Sequence, residues 1–184
     1  MKDAQPIRDR LDIDRLRQAM KGANATRDRA LLSVALNTGL RIGDILRLTV
    51  GDVAVPKTHI VIVQQKTSKT SRNLITPALR AVLDPYIAGK DPGAPLFPSS
   101  RNPALAIDRV QAYRLLETAR KRAELETPIS PHSLRKTFGW HHYNTYKDVV
   151  LLQKIFHHSA PSVTLRYIGV DADSIDASLK DFSL

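Results

Sequence analysis

Residues 58–76 read THIVIVQQKTSKTSRNLIT, and this stretch decides the fold. Apolar side chains alternate with period two in THIVIVQQ (58–65) and RNLIT (72–76), on either side of a polar turn at Lys66–Ser71. That is the pattern of a half-buried β-hairpin. On both sides of the hairpin the spacing is helical. Before it, Ile13, Leu16 and Met20 recur one turn apart over residues 12–21, behind Asp caps. Thr26 is expected to cap a second helix through RDRALLSVALNTG, stopped by Gly39. A short third helix fits Gly43–Leu48, with Arg41 in the turn between the two. After the hairpin, Pro77 opens a helix, Asp91–Pro103 is a Pro- and Ser-rich loop, and Ile107–Ala123 is a long basic helix. Pro131 stands at a first helical position for HSLRKTFGWHHY, and Asp148 caps VVLLQKIF. Pro161 starts a short helix through Tyr167, and Ser174–Phe182 makes the last one. The expected fold is mainly α with one small antiparallel β-sheet, an α+β chain.

The 184 residues suit one domain, and 42% apolar residues are enough to bury a core. Lys and Arg number 28 against 18 Asp and Glu, a net charge of +10. The charge is uneven: residues 171–184 carry Lys180 against Asp171, Asp173, Asp176 and Asp181, and everything before them is strongly basic. A positive body of this kind suits a polyanion, because Lys and Arg that neutralise phosphates release condensed counterions. The absence of cysteine excludes disulfides, thiolate metal sites and thiol catalysis. No run of 18 apolar residues and no apolar signal core occurs, so neither a membrane span nor a secretory signal is expected. The expected setting is the cytoplasm, at the nucleoid.

Dinucleotide and P-loop motifs are missing, as is HExxH. Five of the six histidines fall between 132 and 158, but that stretch holds one carboxylate, Asp148, and its adjacent His pairs diverge on a helix. No metal site is expected. In PHSLRKTF, His132 and Arg135 are three apart and share a helix face, so both can meet one phosphate or carboxylate; a surface pair is the plainer alternative. In FHHSAPSVTLRYIG, Tyr167 follows His158 by nine residues and could equally pack in a core. In TGLRIGDILRL, Asp44 could orient Arg41 or form a purely structural ion pair. Lys66 and Lys69 in KTSKTSR project from a hairpin tip, where lysines are ordinarily solvated.

The order of these pieces is more specific than any one of them. TGLRIGDILRLTVGDV, QQKTSKTSR, SPHSLRKTF and IFHHSAPSVTLRYIG, spread over residues 38–168, together resemble the tyrosine recombinase (phage integrase) family. The resemblance implies a tyrosine-recombinase catalytic domain over residues 1–170, followed by an acidic tail helix over 171–184. Family members generally carry a DNA-gripping helical domain ahead of the catalytic one, and some an arm-binding domain too; with only about forty residues before Arg41, no separate core-binding or arm-binding domain is expected here. It implies a site-specific DNA recombinase or integrase that works through a 3′-phosphotyrosine, without metal, ATP or other cofactor. Tyr167 would be the nucleophile, Arg41 and Arg135 the phosphate clamp, and His132 the acid/base partner. His158 would be a phosphate hydrogen-bond donor, and Lys66, preferred to Lys69, the acid for the leaving oxygen. Lys69, Arg72, Lys136 and His157 are further candidate DNA contacts, with Asp44 in support. Double-stranded DNA is the expected partner, with self-association into a tetramer through residues 171–184 and accessory DNA-binding proteins besides. Two alternatives are a type IB topoisomerase-like enzyme and a non-catalytic DNA-binding regulator. The regulator would be marked by a lost catalytic residue, and none is lost. A second departure is local: the family usually has Leu-Gly-His where this chain has Phe156-His157-His158. That places a histidine at a position suited to left-handed backbone.

Overall fold

In the computed structural model, which describes residues 4–65, 68–170 and Lys180, the hairpin is β1 (His59–Val63) and β2 (Thr70–Leu74). The strands are antiparallel, with Val61 opposite Arg72 and Val63 opposite Thr70. They are shorter than the alternation suggests because Gln64 leaves the ladder to close the loop, its N–H donating to the Lys69 carbonyl at 3.0 Å. The helices before the hairpin are α1 (Arg10–Ala19), α2 (Ala25–Thr38) and α3 (Ile42–Ile45). After it come α4 (Pro77–Ile87), α5 (Arg109–Arg122), α6 (Pro131–Tyr146), α7 (Val149–Phe156) and α8 (Pro161–Ile168).

Caps account for most departures from the expected boundaries. α1 starts two residues early because Asp9 accepts the Leu11 N–H at 2.8 Å. α5 starts two residues late because Asp108 and Gln111 form a reciprocal capping box. Thr26 is not a cap: α2 begins at Ala25, and Thr26 sits in its first turn. The third helix is a single turn rather than Gly43–Leu48. The expected helix at Ser174–Phe182 lies outside the described residues, Lys180 apart.

The middle of α2 is buried on every side, from Ala30 through Ala35, and packs against α4 and α6, while α1 lies on α5. A helix apolar all round belongs at the centre of a fold. A second, smaller apolar cluster joins α6, α7 and α8 through Leu152, Phe156 and Ile168, with Phe138, Trp140 and Tyr167 against it. Gly139 makes this junction possible. A Cβ there would stand 2.7 Å from Ile168 Cγ2 and 2.8 Å from the Phe156 ring, closer than packed atoms approach. Gly139→Ala should therefore cost about 1–3 kcal/mol through overpacking, read as a lower urea midpoint with an unchanged slope. An unshifted midpoint would show that α8 is not seated this tightly.

Candidate active site

The site begins at the end of α2. Gly39 takes the left-handed conformation (φ 61, ψ 16), and the Phe138 ring occupies the space a Cβ would need, 2.3 Å away. The chain turns sharply there, buries Leu40 and leaves Arg41, in extended backbone, as the residue preceding α3. Arg41 Nη1 donates to Gln64 Oε1 at 2.5 Å, and Gln64 is itself buried. Asp44, expected to orient Arg41, is turned elsewhere. Its Oδ1 accepts from Arg47 Nη2 and from the Gln65 N–H, each at 3.1 Å, and so ties α3 to the end of β1.

α6 opens with Ser130 capping Ser133 and with Pro131 in its first turn. His132 and Arg135 then fall one turn apart, on the face that lines the cleft. Arg135 is only 4% exposed. Its guanidinium donates to the Gly39 carbonyl and, at 3.1 Å, to the Phe156 carbonyl, and stacks 4.3 Å above the Phe156 ring. Burial pushes its pKa down to about 10; Arg41 adds to the fall, and Tyr167 and Asp44 oppose it. It remains a cation at neutral pH.

α7 ends in a Schellman motif, with the His158 N–H bonded to the Gln153 carbonyl and the His157 N–H to the Lys154 carbonyl. This requires left-handed backbone at His157 (φ 54, ψ 38), the position singled out by its departure from Leu-Gly-His. The turn swings His158 into the cleft, where its Nδ1 lies 3.0 Å from the hydroxyl of buried Thr164. Burial, then the charges of Arg135 and Arg41, push the His158 pKa down to about 4. The ring is neutral at pH 7, and the Thr164 hydroxyl holds its orientation through Nδ1. Tyr167, in the last turn of α8, places its hydroxyl 3.3 Å from His132 Nδ1. Three rings meet Tyr167 close to edge-on: His132 at 5.0 Å, His158 at 5.1 Å and Phe156 at 5.5 Å.

Arg41, His132, Arg135, His158 and Tyr167 thus share one cleft of about 690 Å³. Lys66 lies outside the described residues. Lys69 is exposed in the hairpin loop, close enough to His157 for its charge to help lower that ring's pKa, although burial is the larger cause. Arg72 is exposed on β2 and shares a 3.2 Å contact with His59. Lys136 departs from expectation: it is 5% exposed, so its side chain is not presented to DNA at the surface. Three residues of the site escaped the sequence reading. Gln64 could have been found, since the period-two pattern puts it on the same face as Ile60 and Ile62. Arg109, at the start of α5, lines the cleft, and its Nη2 would stand 2.5 Å from a Cβ on Gly43. Thr164 carries no sequence signal of its own. Among the described residues no three His, Cys, Asp or Glu side chains converge as metal ligands would, and no helix is long and apolar enough to cross a membrane.

Two stability predictions follow from this geometry. His158 has a folded pKa below its unfolded value of about 6.5, so the unfolded chain binds its proton first. The His158 contribution is fully present above pH 6.5 and is lost as pH falls toward 4. Urea midpoints should drop across that window, and His158→Gln should flatten the drop; an equal drop in the variant would contradict the shift. His157→Gly should raise stability by about 0.5–1 kcal/mol, because glycine adopts left-handed backbone without a steric penalty. A lower urea midpoint for that variant would show that contacts of the imidazole outweigh the strain.

Comparison with known proteins points to one family. The phage integrase family model matches residues 9–173. The probable integrase/recombinase YoeC of Bacillus subtilis (strain 168) is 41% identical over 178 residues, covering 97% of this chain and 96% of that protein. The tyrosine recombinase XerD of Corynebacterium glutamicum is 33% identical over 159 residues, covering 81% of this chain but 50% of its own length. The chain therefore spans nearly all of one relative and about half of the other. Among solved structures, XerA recombinase superposes with a TM-score of 0.75 at 22% identity, over 95% of this chain and 65% of its own. A lambda integrase dimer bound to a core site superposes with a TM-score of 0.73 at 16% identity, over 100% of this chain and 64% of its own. At these identities the superpositions establish a shared fold.

Proposed function

The chain belongs to the phage integrase family, as a DNA recombinase of the tyrosine type, and we propose that it cuts and rejoins double-stranded DNA at specific sites with Tyr167 as the nucleophile. The observation that carries this is the convergence of five residues, from α6, α8 and the turns before α3 and after α7, on one cleft, with the phenol beside an imidazole. In the proposed step Tyr167 Oη bonds to the scissile phosphorus, and the bond from phosphorus to the 5′-oxygen breaks. The phenol proton passes to His132 Nδ1, whose 3.3 Å separation is suited to tightening once substrate is bound. Charge gathers on the non-bridging oxygens, where Arg41 and Arg135 donate from the two sides and neutral His158 donates through Nε2. Lys66 is the proposed acid that protonates the departing 5′-oxygen. The resulting 3′-phosphotyrosine conserves the bond, and a 5′-hydroxyl from another strand reverses the step without a cofactor. The two arginines provide charge that a metal provides in other phosphoryl-transfer sites. The topoisomerase-like and regulator readings have no observation in their favour.

The setting proposed is the cytoplasm, on nucleoid DNA, with accessory DNA-binding proteins contributing to site choice. Residues 171–184 are proposed to dock on a neighbouring protomer and assemble a tetramer on DNA. Ala172, Ile175, Leu179 and Phe182 recur at helical spacing, on a segment too short to be stable alone. A groove lined by exposed Leu74, Tyr146 and Leu151, with Lys154 and Arg72 beside them, offers an apolar floor and a basic rim for it. Deleting residues 171–184 should leave folding and single-site binding intact but abolish higher-order complexes on paired sites in gel-shift assays. Complexes that persist would refute tail exchange.

Tyr167→Phe should abolish the detergent-resistant protein–DNA adduct while DNA binding stays near wild type. Arg41→Ala should cut cleavage by about 10²–10³-fold, with a much smaller loss of binding. An adduct that survives in the first variant, or equal losses of binding and cleavage in the second, would count against these roles.

A further inference from the structure

We propose that Arg109 binds the DNA phosphate next to the scissile one on the same strand, and that the missing side chain of Gly43 is what admits its guanidinium to the cleft. This rests on the reading of Tyr167 and the two-arginine clamp given above, and adds how the strand is held beside them. Arg109 is the first residue of α5, directly after the reciprocal cap of Asp108 and Gln111. That box fixes the first turn, and Ala112, Leu116 and Ala119 bury the helix behind it. The side chain therefore leaves a rigid helix end rather than a loop, and it reaches across to α3. A Cβ on Gly43 would stand 2.5 Å from Arg109 Nη2 and 3.2 Å from both Cζ and Nε, so the guanidinium lies over this one residue. Gly43 sits within α3 and has no left-handed backbone. After proline, glycine is the poorest helix former, and the local conformation makes no demand for it. Only the space above it does.

Arg41 stands two residues before Gly43, so both guanidiniums meet the same turn of chain. Arg41 is bonded to Gln64 and Arg109 to Gln65, its Nη2 donating to Oε1 at 3.4 Å. The pair occupies the end of the cleft made by α3 and β1, whereas Tyr167, His132 and His158 occupy the end made by α6 and α8. With the scissile phosphorus beside Tyr167 and Arg41 on its oxygens, Arg109 lies beyond Arg41, along the strand. Phosphates of one strand recur every ~3.4 Å of duplex axis, and a cleft of about 690 Å³ has room for more than one. The bond to Gln65 is at the long limit for a hydrogen bond, so a phosphate oxygen displaces it at little cost. Among the described residues Arg109 is in no ion pair that would have to break first. Its planar fork matches two oxygens of one phosphate. A phosphate that does not react is held equally in the ground and transition states. The contact therefore acts on binding and register, and leaves the rate at saturation alone.

The test uses the full chain and a nicked duplex taken from the DNA flanking its own gene. Binding is followed by fluorescence anisotropy across a salt series, and adduct formation at saturating protein. Arg109→Ala should weaken binding about tenfold at low salt, the size of one charge-assisted hydrogen bond. It should also make the slope of log K against log salt shallower by about 0.9. Its rate of adduct formation at saturation should stay within about twofold of wild type, in contrast to Arg41→Ala. An unchanged slope overturns the proposal in favour of a base contact or none. A large loss of rate with unchanged binding overturns it in favour of the scissile phosphate. Gly43→Ala tests the notch. Alanine suits helical backbone and the Arg109 side chain can swing aside, so the urea midpoint should stay at or above that of wild type while binding weakens as much as in Arg109→Ala. A lower midpoint would show that the notch serves packing, and overturns the proposal. In the double variant Gly43→Ala/Arg109→Ala no guanidinium is left to displace, so binding should match that of Arg109→Ala alone. Losses that add, or a Gly43→Ala chain that binds as wild type does, overturn the proposal. A wild-type chain that binds but forms no adduct would refute the reading of Tyr167, and the salt slope and double variant would still decide the Arg109 contact.

Discussion

The guanidinium of Arg135 is the contact on which the rest of the site depends. One nearly enclosed cation donates to the carbonyl that ends α2 and to the carbonyl that ends α7, and rests on the ring of Phe156. Burying a charge is expensive unless its donors are satisfied, and these three contacts satisfy it by drawing three separate chain segments to one point. Arg41 follows directly from the first of those carbonyls and His158 from the second. Moving Arg135 would therefore move the other groups of the cleft with it. The cleft also holds three guanidiniums, from Arg41, Arg109 and Arg135, against one buried carboxylate, Asp44. Such a site is electrostatically incomplete until an anion enters.

Glycine and left-handed backbone give this arrangement its sharp corners. Gly39 ends α2 where Phe138 leaves no room for a Cβ, and Gly139 lets α8 approach α6 closely enough to bring Tyr167 beside His132. His157 makes the third corner without being glycine, at a cost in strain of the kind that collects at functional sites. His158 Nδ1 is held by the hydroxyl of Thr164, one turn before Tyr167 on α8, so the helix that carries Tyr167 also orients the neighbouring imidazole. The positions of the two rings are coupled through α8.

Much of this was legible in the residues. The period-two run at 58–76 located the hairpin, and the Pro and Asp signals located α4, α6, α7 and α8. His132 and Arg135 were placed on one face by spacing alone, while Arg41, His158 and Tyr167 needed the ordered motifs and the resemblance they carry. What escaped has physical reasons. Capping depends on which of several nearby polar residues folds back, so Asp9 and Asp108 displaced the boundaries expected from neighbouring residues. Side-chain partners across long separations leave no local trace: Gln64, not Asp44, holds Arg41. Burial of Lys136 follows from helices packing around α6, and a lysine beside a catalytic motif otherwise reads as a surface contact.

The central claim is that the covalent bond to DNA forms at one hydroxyl, and mass spectrometry of the trapped adduct tests it most directly. After nuclease and trypsin digestion, the account predicts a residual nucleotide, linked through its 3′-phosphate, on the peptide that follows Arg166 and begins at Tyr167. The same mass on a peptide containing Tyr143 or Tyr146, or a linkage through a 5′-phosphate, would contradict it.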